Sequence, residues 1–199
     1  MNSPRLFQSY QSFSAGQYLE LKIWEAARAT SAAPTFFKRM KIGPPGAQEE
    51  FLDGGVGNNN PIRLLMKETP KAFDDQRAVA CIISIGTGST NITEFKEPGL
   101  FQRVVPTKLI DALKEIATDC ERVEKEVAQR FATTPGIYFR FNVEHGLERI
   151  PMESYKELGN IKSKTINYLQ DDKIAHSVDE AVLALCNLSN RIKASELCT

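Results

Sequence analysis

Residues 51–62, FLDGGVGNNNPI, decide how this chain is read. A short apolar run closes on one carboxylate, Asp53. Gly54 and Gly55 follow, then Gly57, then Asn58, Asn59, Asn60 and Pro61. Glycine lets the backbone take positive φ or approach a neighbour closely. Asparagine side chains bond their own backbone and hold tight turns. Such a run is neither helix nor strand. It is either a structural Asp–Gly turn or a backbone arranged to present a carboxylate in one orientation. The flanks give it a place. EEFLD reads as a short strand leading into the glycines. Asn60 and Pro61 read as the N-cap and first position of a helix whose inner face is Ile62, Leu65 and Met66. Asp53 is then expected at the carboxyl end of a strand, where open α/β sheets build their sites.

Working outward, residues 5–14 (Leu6, Tyr10, Phe13) suggest an edge strand, and LELKIWEAARATSAA reads as helix over about 21–32, stopped by Pro34. TFFKRMKI alternates like a strand, and GPPGAQ is a turn by composition. Downstream, Pro70 is expected to end the helix that begins at Pro61. AVACIISIG, 78–86, is a continuous apolar run. That is the pattern of a central parallel strand covered on both faces. GTGST is the loop at its end, and 89–106 reads as a surface loop. From 108 to 131 a stripe of Leu109, Leu113, Ile116, Cys120, Val123, Val127 and Phe131 predicts a long helix. GIYFRFNV is another strand, 153–170 another helix, and Ser177 with Glu180 reads as the capping box of a last one. Helices and apolar strands alternate, so the fold class is α/β, with helices layered on a sheet.

Composition narrows the function classes. The chain has 199 residues, enough for a domain with a real core, and its formal net charge is zero. A neutral chain argues against nucleic acid as a partner. No apolar run approaches the roughly 20 residues that span a bilayer, and MNSPRLFQSYQSFSAGQ lacks the apolar core of a secretory signal. A cytoplasmic setting, with at most peripheral membrane contact, is expected. Cys81, Cys120, Cys186 and Cys198 are far apart with no C-x-x-C, and His145 and His176 are the two histidines. No metal site and no cofactor are expected from such a ligand supply. SIGTGST follows a strand but lacks the lysine and spacing of a P-loop. Ser31 follows a helix without flanking glycines and reads as packing or capping. His145 reads as an exposed turn residue, and the Glu/Lys face of 108–131 as solvated.

Three pieces stand in register: IWEAARATSAAPTFF at 23–37, FLDGGVGNNNP at 51–61 and IISIGTG at 82–88. Together they resemble the patatin-like phospholipase family. RLFQSY and YFRFNVEHGLERI are similar to further segments of it, so the resemblance runs from about 4 to 170. It implies the C-terminal portion of a three-layer α/β/α patatin-like domain over 1–172, with the signature core at 1–66 and a helical extension at 173–199. Members are lipid acyl hydrolases with a Ser–Asp dyad. Their serine lies in a G-x-S-x-G elbow, and their aspartate in D-G-G or D-G-A. Asp53, Gly54 and Gly55 match the second motif, which implies Asp53 as general base. Asn58, Asn59 and Asn60 are expected to shape its loop rather than touch substrate. A dyad needs no histidine. The implied partner is a phospholipid or acylglycerol substrate.

The sequence contains no G-x-S-x-G, and Ser89 in GTGST has the wrong spacing for an elbow. The family's glycine-rich oxyanion loop is missing as well. The expectation is therefore an incomplete chain, inactive by itself, whose missing N-terminal half-domain would carry the nucleophile. The alternative is a pseudoenzyme that binds a ligand or complements a partner chain. Without its first strands, the sheet is expected to leave the 78–86 strand with an exposed edge.

Overall fold

The computed structural model describes residues 4–10, 21–34, 36–88, 107–148, 150, 154–187 and 191–197, with backbone alone at 107–118 and at 187. The predicted loop at 89–106, Ser89 and Cys198 lie outside these residues, as do the side chains of Leu109, Leu113 and Ile116. Contacts divide the chain into two units. One joins Met1–Asp74 with Pro98–Val123, and the other joins Asp75–Glu97 with Glu124–Thr199.

In the first unit, α1 spans Ile23–Thr30. Its first turn closes when the Lys22 amide donates to Glu25 Oε2 at 2.9 Å. The strands β1 (Met40–Ile42) and β2 (Glu49–Phe51) form an antiparallel hairpin in which Met40 faces Phe51 and Ile42 faces Glu49. Ala29 of α1, Ile42 and Phe51 form the buried core, with Phe7, Leu21 and Met40 packed around them. Residues 4–10 form no strand. Phe7 is instead drawn onto the Phe51 ring, centroids 5.3 Å apart, where burying the ring offers more than edge hydrogen bonds would.

After β2 the chain makes a single distorted turn, α2 (Gly55–Asn58), in which Val56 and Gly57 leave helical geometry. Helix α3 spans Ile62–Ala72. Two expectations fail there. Leu65 is 55% exposed, so the inner face is Ile62 and Met66. Pro70 also lies inside the helix rather than ending it. Proline removes one donor but keeps a helical φ. In the last turn that loses one ladder bond, and the Phe73 amide still reaches the Thr69 carbonyl at 3.0 Å.

In the second unit, β3 (Ala78–Val79) pairs antiparallel with β6 (Ile192–Lys193), and β4 (Ile82–Ile85) pairs parallel with β5 (Tyr138–Phe141). The 78–86 run is thus two short strands serving two sheets, with a break at Ala80 and Cys81. Its expected double cover is absent among the described residues: Ile83 is 38% and Ile85 78% exposed. Phe139 is buried with Ala181 and Ala184 of α6 (Asp172–Asn187), beside Cys81 and Phe141. Helix α4 (Thr107–Arg130) forms where the apolar stripe predicts it; buried Val123 ends its part in the first unit, and buried Val127 lies in its part of the second. Helix α5 (Leu158–Leu169) follows a 3₁₀ turn at Tyr155–Glu157. Ser177 does not cap a helix. Asp171 Oδ1 accepts from the amides of Lys173 and Ile174, at 3.0 and 3.4 Å, and starts α6 at Asp172, five residues before Ser177. A carboxylate at the N-cap also suits the helix dipole. The chain is an α/β fold of helices and short open sheets.

Candidate active site

Asp53 sits two residues past β2, and its backbone and side chain are both tied down. Its amide donates to the Ala32 carbonyl at 3.2 Å, which joins the glycine turn to the segment leaving α1. Its Oδ1 accepts from the Gly55 amide at 2.6 Å. Its carbonyl accepts from the Val56 amide at 3.1 Å, and the Asn58 amide donates to Gly54 at 3.1 Å. The half-buried carboxylate is therefore gripped by one oxygen. Among the described residues, Oδ2 makes no hydrogen bond.

The glycines do different work. Gly57 has φ 101°, a left-handed conformation that glycine adopts without strain. At Gly55 a Cβ would stand 3.0 Å from Asp53 Oδ1 and 3.4 Å from Asn59 Oδ1, so a bare backbone lets the amide close on the carboxylate. At Gly54 the nearest atom to such a Cβ is Thr30 Oγ1 at 3.5 Å, an ordinary contact.

The asparagines hold the far side. Asn60 is a buried polar residue, 6% exposed. Its Oδ1 accepts from the Ile62 amide and its Nδ2 donates to the Cys120 carbonyl, both at 3.4 Å. Exposed Asn59 donates to Cys120 Sγ at 3.3 Å. Asn58 is half-buried in the turn itself. The sequence reading places Cys120 in the stripe of α4 and does not connect it to this loop. The two lie about 60 residues apart, and no local pattern carries that pairing.

The other sequence candidates fall elsewhere. Ser31 Oγ donates to the Ala27 carbonyl at 2.8 Å, closing the end of α1 as capping would. In the GTG loop, the Gly88 amide donates to Asn142 Oδ1 at 2.9 Å, and Arg140 Nη1 donates to Ser84 Oγ at 2.9 Å. A Cβ at Gly86 would overlap Asn142 Oδ1 and stand 2.6 Å from Arg140 Nη2. Gly86 thus answers to packing against β5 and the residue after it. His145 is exposed, 3.6 Å from Glu148, and His176 lies 3.6 Å from Glu180. Among the described residues, no cluster of three His, Cys, Asp or Glu side chains is set to hold a metal. Burial pushes the Cys81 thiol above its ordinary pKa. Burial also pushes the Tyr138 hydroxyl up, and nearby Arg140 partly opposes it.

A carboxylate held by one oxygen, with the other unbonded among the described residues, can take a proton from a hydroxyl brought within about 3 Å. Comparison with known proteins gives that arrangement a context. Residues 3–66 match the family model described as patatin-like phospholipase. The chain is 29% identical over 208 residues to rabbit (Oryctolagus cuniculus) calcium-independent phospholipase A2-gamma, covering 94% of this chain and 24% of that one. It is 28% identical over 182 residues to patatin-like phospholipase 1 of Plasmodium falciparum, covering 82% and 27%. Over 102 residues it is 33% identical to patatin-like protein 3 of Arabidopsis thaliana, covering 43% and 24%. The chain spans about a quarter of the length of these relatives. No solved structure matches it with significance.

Proposed function

With a patatin-like phospholipase segment at 3–66 as premise, we propose that this chain supplies the carboxylate half of a lipid acyl hydrolase site, with Asp53 as general base. The observation that carries this reading is the grip on Asp53: the Gly55 amide on Oδ1, the Ala32 carbonyl on its backbone amide, and an Oδ2 left for a proton. The nucleophile is a serine in a G-x-S-x-G elbow, which these 199 residues do not contain. In the dyad, Asp53 takes the serine proton as the serine attacks the acyl carbonyl, and returns it to the leaving alcohol. Water then repeats the sequence on the acyl-enzyme. The substrate class is a phospholipid or acylglycerol ester. Asn58, Asn59 and Asn60 shape the loop that fixes Asp53.

Alone, the chain has a base without a nucleophile and without oxyanion donors, each of which is worth roughly 10²–10³ in rate. The purified 199-residue protein is therefore expected to show no hydrolysis of p-nitrophenyl esters or phospholipid micelles. Hydrolysis that disappears in Asp53→Asn would mean that a nucleophile exists within this chain, and the reading of a missing serine would be wrong.

A further inference from the structure

Asp53 and Gly54 form the only Asp–Gly pair in the chain, and no Asn–Gly pair occurs. An aspartyl side chain can close on the backbone nitrogen of the residue that follows it. Glycine there opposes the closure least, because it has no Cβ and the widest choice of backbone angles. The turn after β2 arranges each atom that such a closure uses.

The attacking atom is the Gly54 amide nitrogen. It makes no hydrogen bond among the described residues, although the amides on both sides of it are engaged. Asp53 donates to the Ala32 carbonyl at 3.2 Å, and Gly55 donates to Asp53 Oδ1 at 2.6 Å. The Gly54 nitrogen therefore gives up no bond when it turns toward the carboxyl. The atom attacked is Asp53 Cγ. Its Oδ1 gains negative charge as the new bond forms, and the Gly55 amide points at that oxygen beforehand. A donor set in place on a developing oxyanion lowers the barrier to its formation. The leaving atom is Oδ2, which no donor among the described residues holds. Nothing crowds the reacting peptide either: a Cβ at Gly54 would meet no atom nearer than Thr30 Oγ1, at 3.5 Å.

We propose that Asp53–Gly54 is a site of spontaneous succinimide formation and isomerisation. The Gly54 nitrogen bonds to Asp53 Cγ and the Cγ–Oδ2 bond breaks. Oδ2 departs as water, with the carboxyl proton and the Gly54 amide proton, so no oxidant or other reagent is consumed. Water then opens the ring. Attack at Cγ restores aspartate. Attack at the backbone carbonyl of residue 53 turns that carbonyl into a free carboxylate on Cα and runs the chain through Cβ and Cγ. The backbone is then one methylene longer, and the bond from Gly55 to Oδ1 is lost in its present form. The reacting species is the protonated carboxyl, which is also what a general base becomes when it has taken its proton. The turn that presents Asp53 thus also limits its lifetime. Ring closure needs neither a serine nor a lipid, so its test stands apart from that of the acyl hydrolase reading.

The folded 199-residue protein is kept for weeks at mildly acidic pH and physiological temperature, beside the same protein in urea. Succinimide is read as a species lighter by one water. Isoaspartate is read by fragmentation of the peptide that contains residue 53, which separates it from products of Asn58, Asn59 and Asn60. The folded parent is expected to accumulate both at residue 53. Gly54→Ala is expected to lose most of the conversion at an unchanged melting temperature. Gly54 has φ −61° and ψ −22°, which alanine adopts without strain, so the added methyl hinders the attack and not the fold. Conversion in urea alone would mean that the fold protects the peptide. Equal conversion in Gly54→Ala and the parent would mean that the ring does not depend on a bare glycine nitrogen. Either result, or no product at residue 53 in the folded chain, would overturn the proposal.

Discussion

The turn at Asp53 and the turn at Gly86 both follow a short strand and are both rich in glycine, yet they are held in opposite ways. The first is closed largely by its own residues: Gly55 bonds Asp53, and Asn58 bonds Gly54. The second is filled from outside, by Arg140 and Asn142, which stand more than fifty residues away in sequence. In the first, glycine shapes a backbone that presents a side chain. In the second, it leaves room for someone else's side chains. The same residue type therefore marks a candidate site in one place and a packing requirement in the other.

Substitutions at the glycines and at Asn60 grade this contrast. Gly86→Ala drives a methyl into Asn142 and Arg140. A loss of about 1–3 kcal/mol is expected, read as a lower urea midpoint; an unchanged midpoint would mean that the turn at Gly86 is no more crowded than the one at Asp53. Asn60→Ala comes next. It strips the loop of its bonds to Ile62 and Cys120, which should remove about 1–2 kcal/mol and speed hydrogen exchange at the Ile62 amide. Exchange at that amide equal to the parent's would show that the loop keeps its shape without Asn60. The smallest effect belongs to Gly54→Ala. Its methyl meets only Thr30 Oγ1 at 3.5 Å, so stability should stay within about 0.5 kcal/mol. A melting temperature well below the parent's would place Gly54 with Gly86 rather than with the open side of the Asp53 turn.

The contrast also explains what the sequence reveals. The Asp53 turn is legible because its determinants are neighbours: a carboxylate, the amide two residues on, and a glycine at positive φ. Helix α4 is legible because a stripe of apolar residues repeats through it. What fails is what depends on distant partners. The run at 78–86 reads as one strand, but β6 takes Ala78 and Val79 while β5 takes Ile82–Ile85. The apolar character of Ile83 and Ile85 promises a cover that the described residues do not provide. Ser177 and Glu180 fit a capping pattern, and a better N-cap at Asp171 overrides it. Cys120 joins the Asp53 loop through a contact that no spacing announces. The role proposed for Asp53 needs the resemblance as well as the grip on its carboxylate, since an Asp–Gly turn of the same shape also serves structure.

The most direct measurement puts Asp53 into the rest of a phospholipase chain. A chimera in which this chain replaces the matching quarter of rabbit calcium-independent phospholipase A2-gamma is assayed for release of fatty acid from phospholipid, with and without Asp53→Asn. Hydrolysis that falls by a factor of at least 10² in the asparagine chimera, at equal folded yield, is the predicted result for a general base. Equal hydrolysis by the two chimeras would contradict the central claim and return Asp53 to the role of a structural turn.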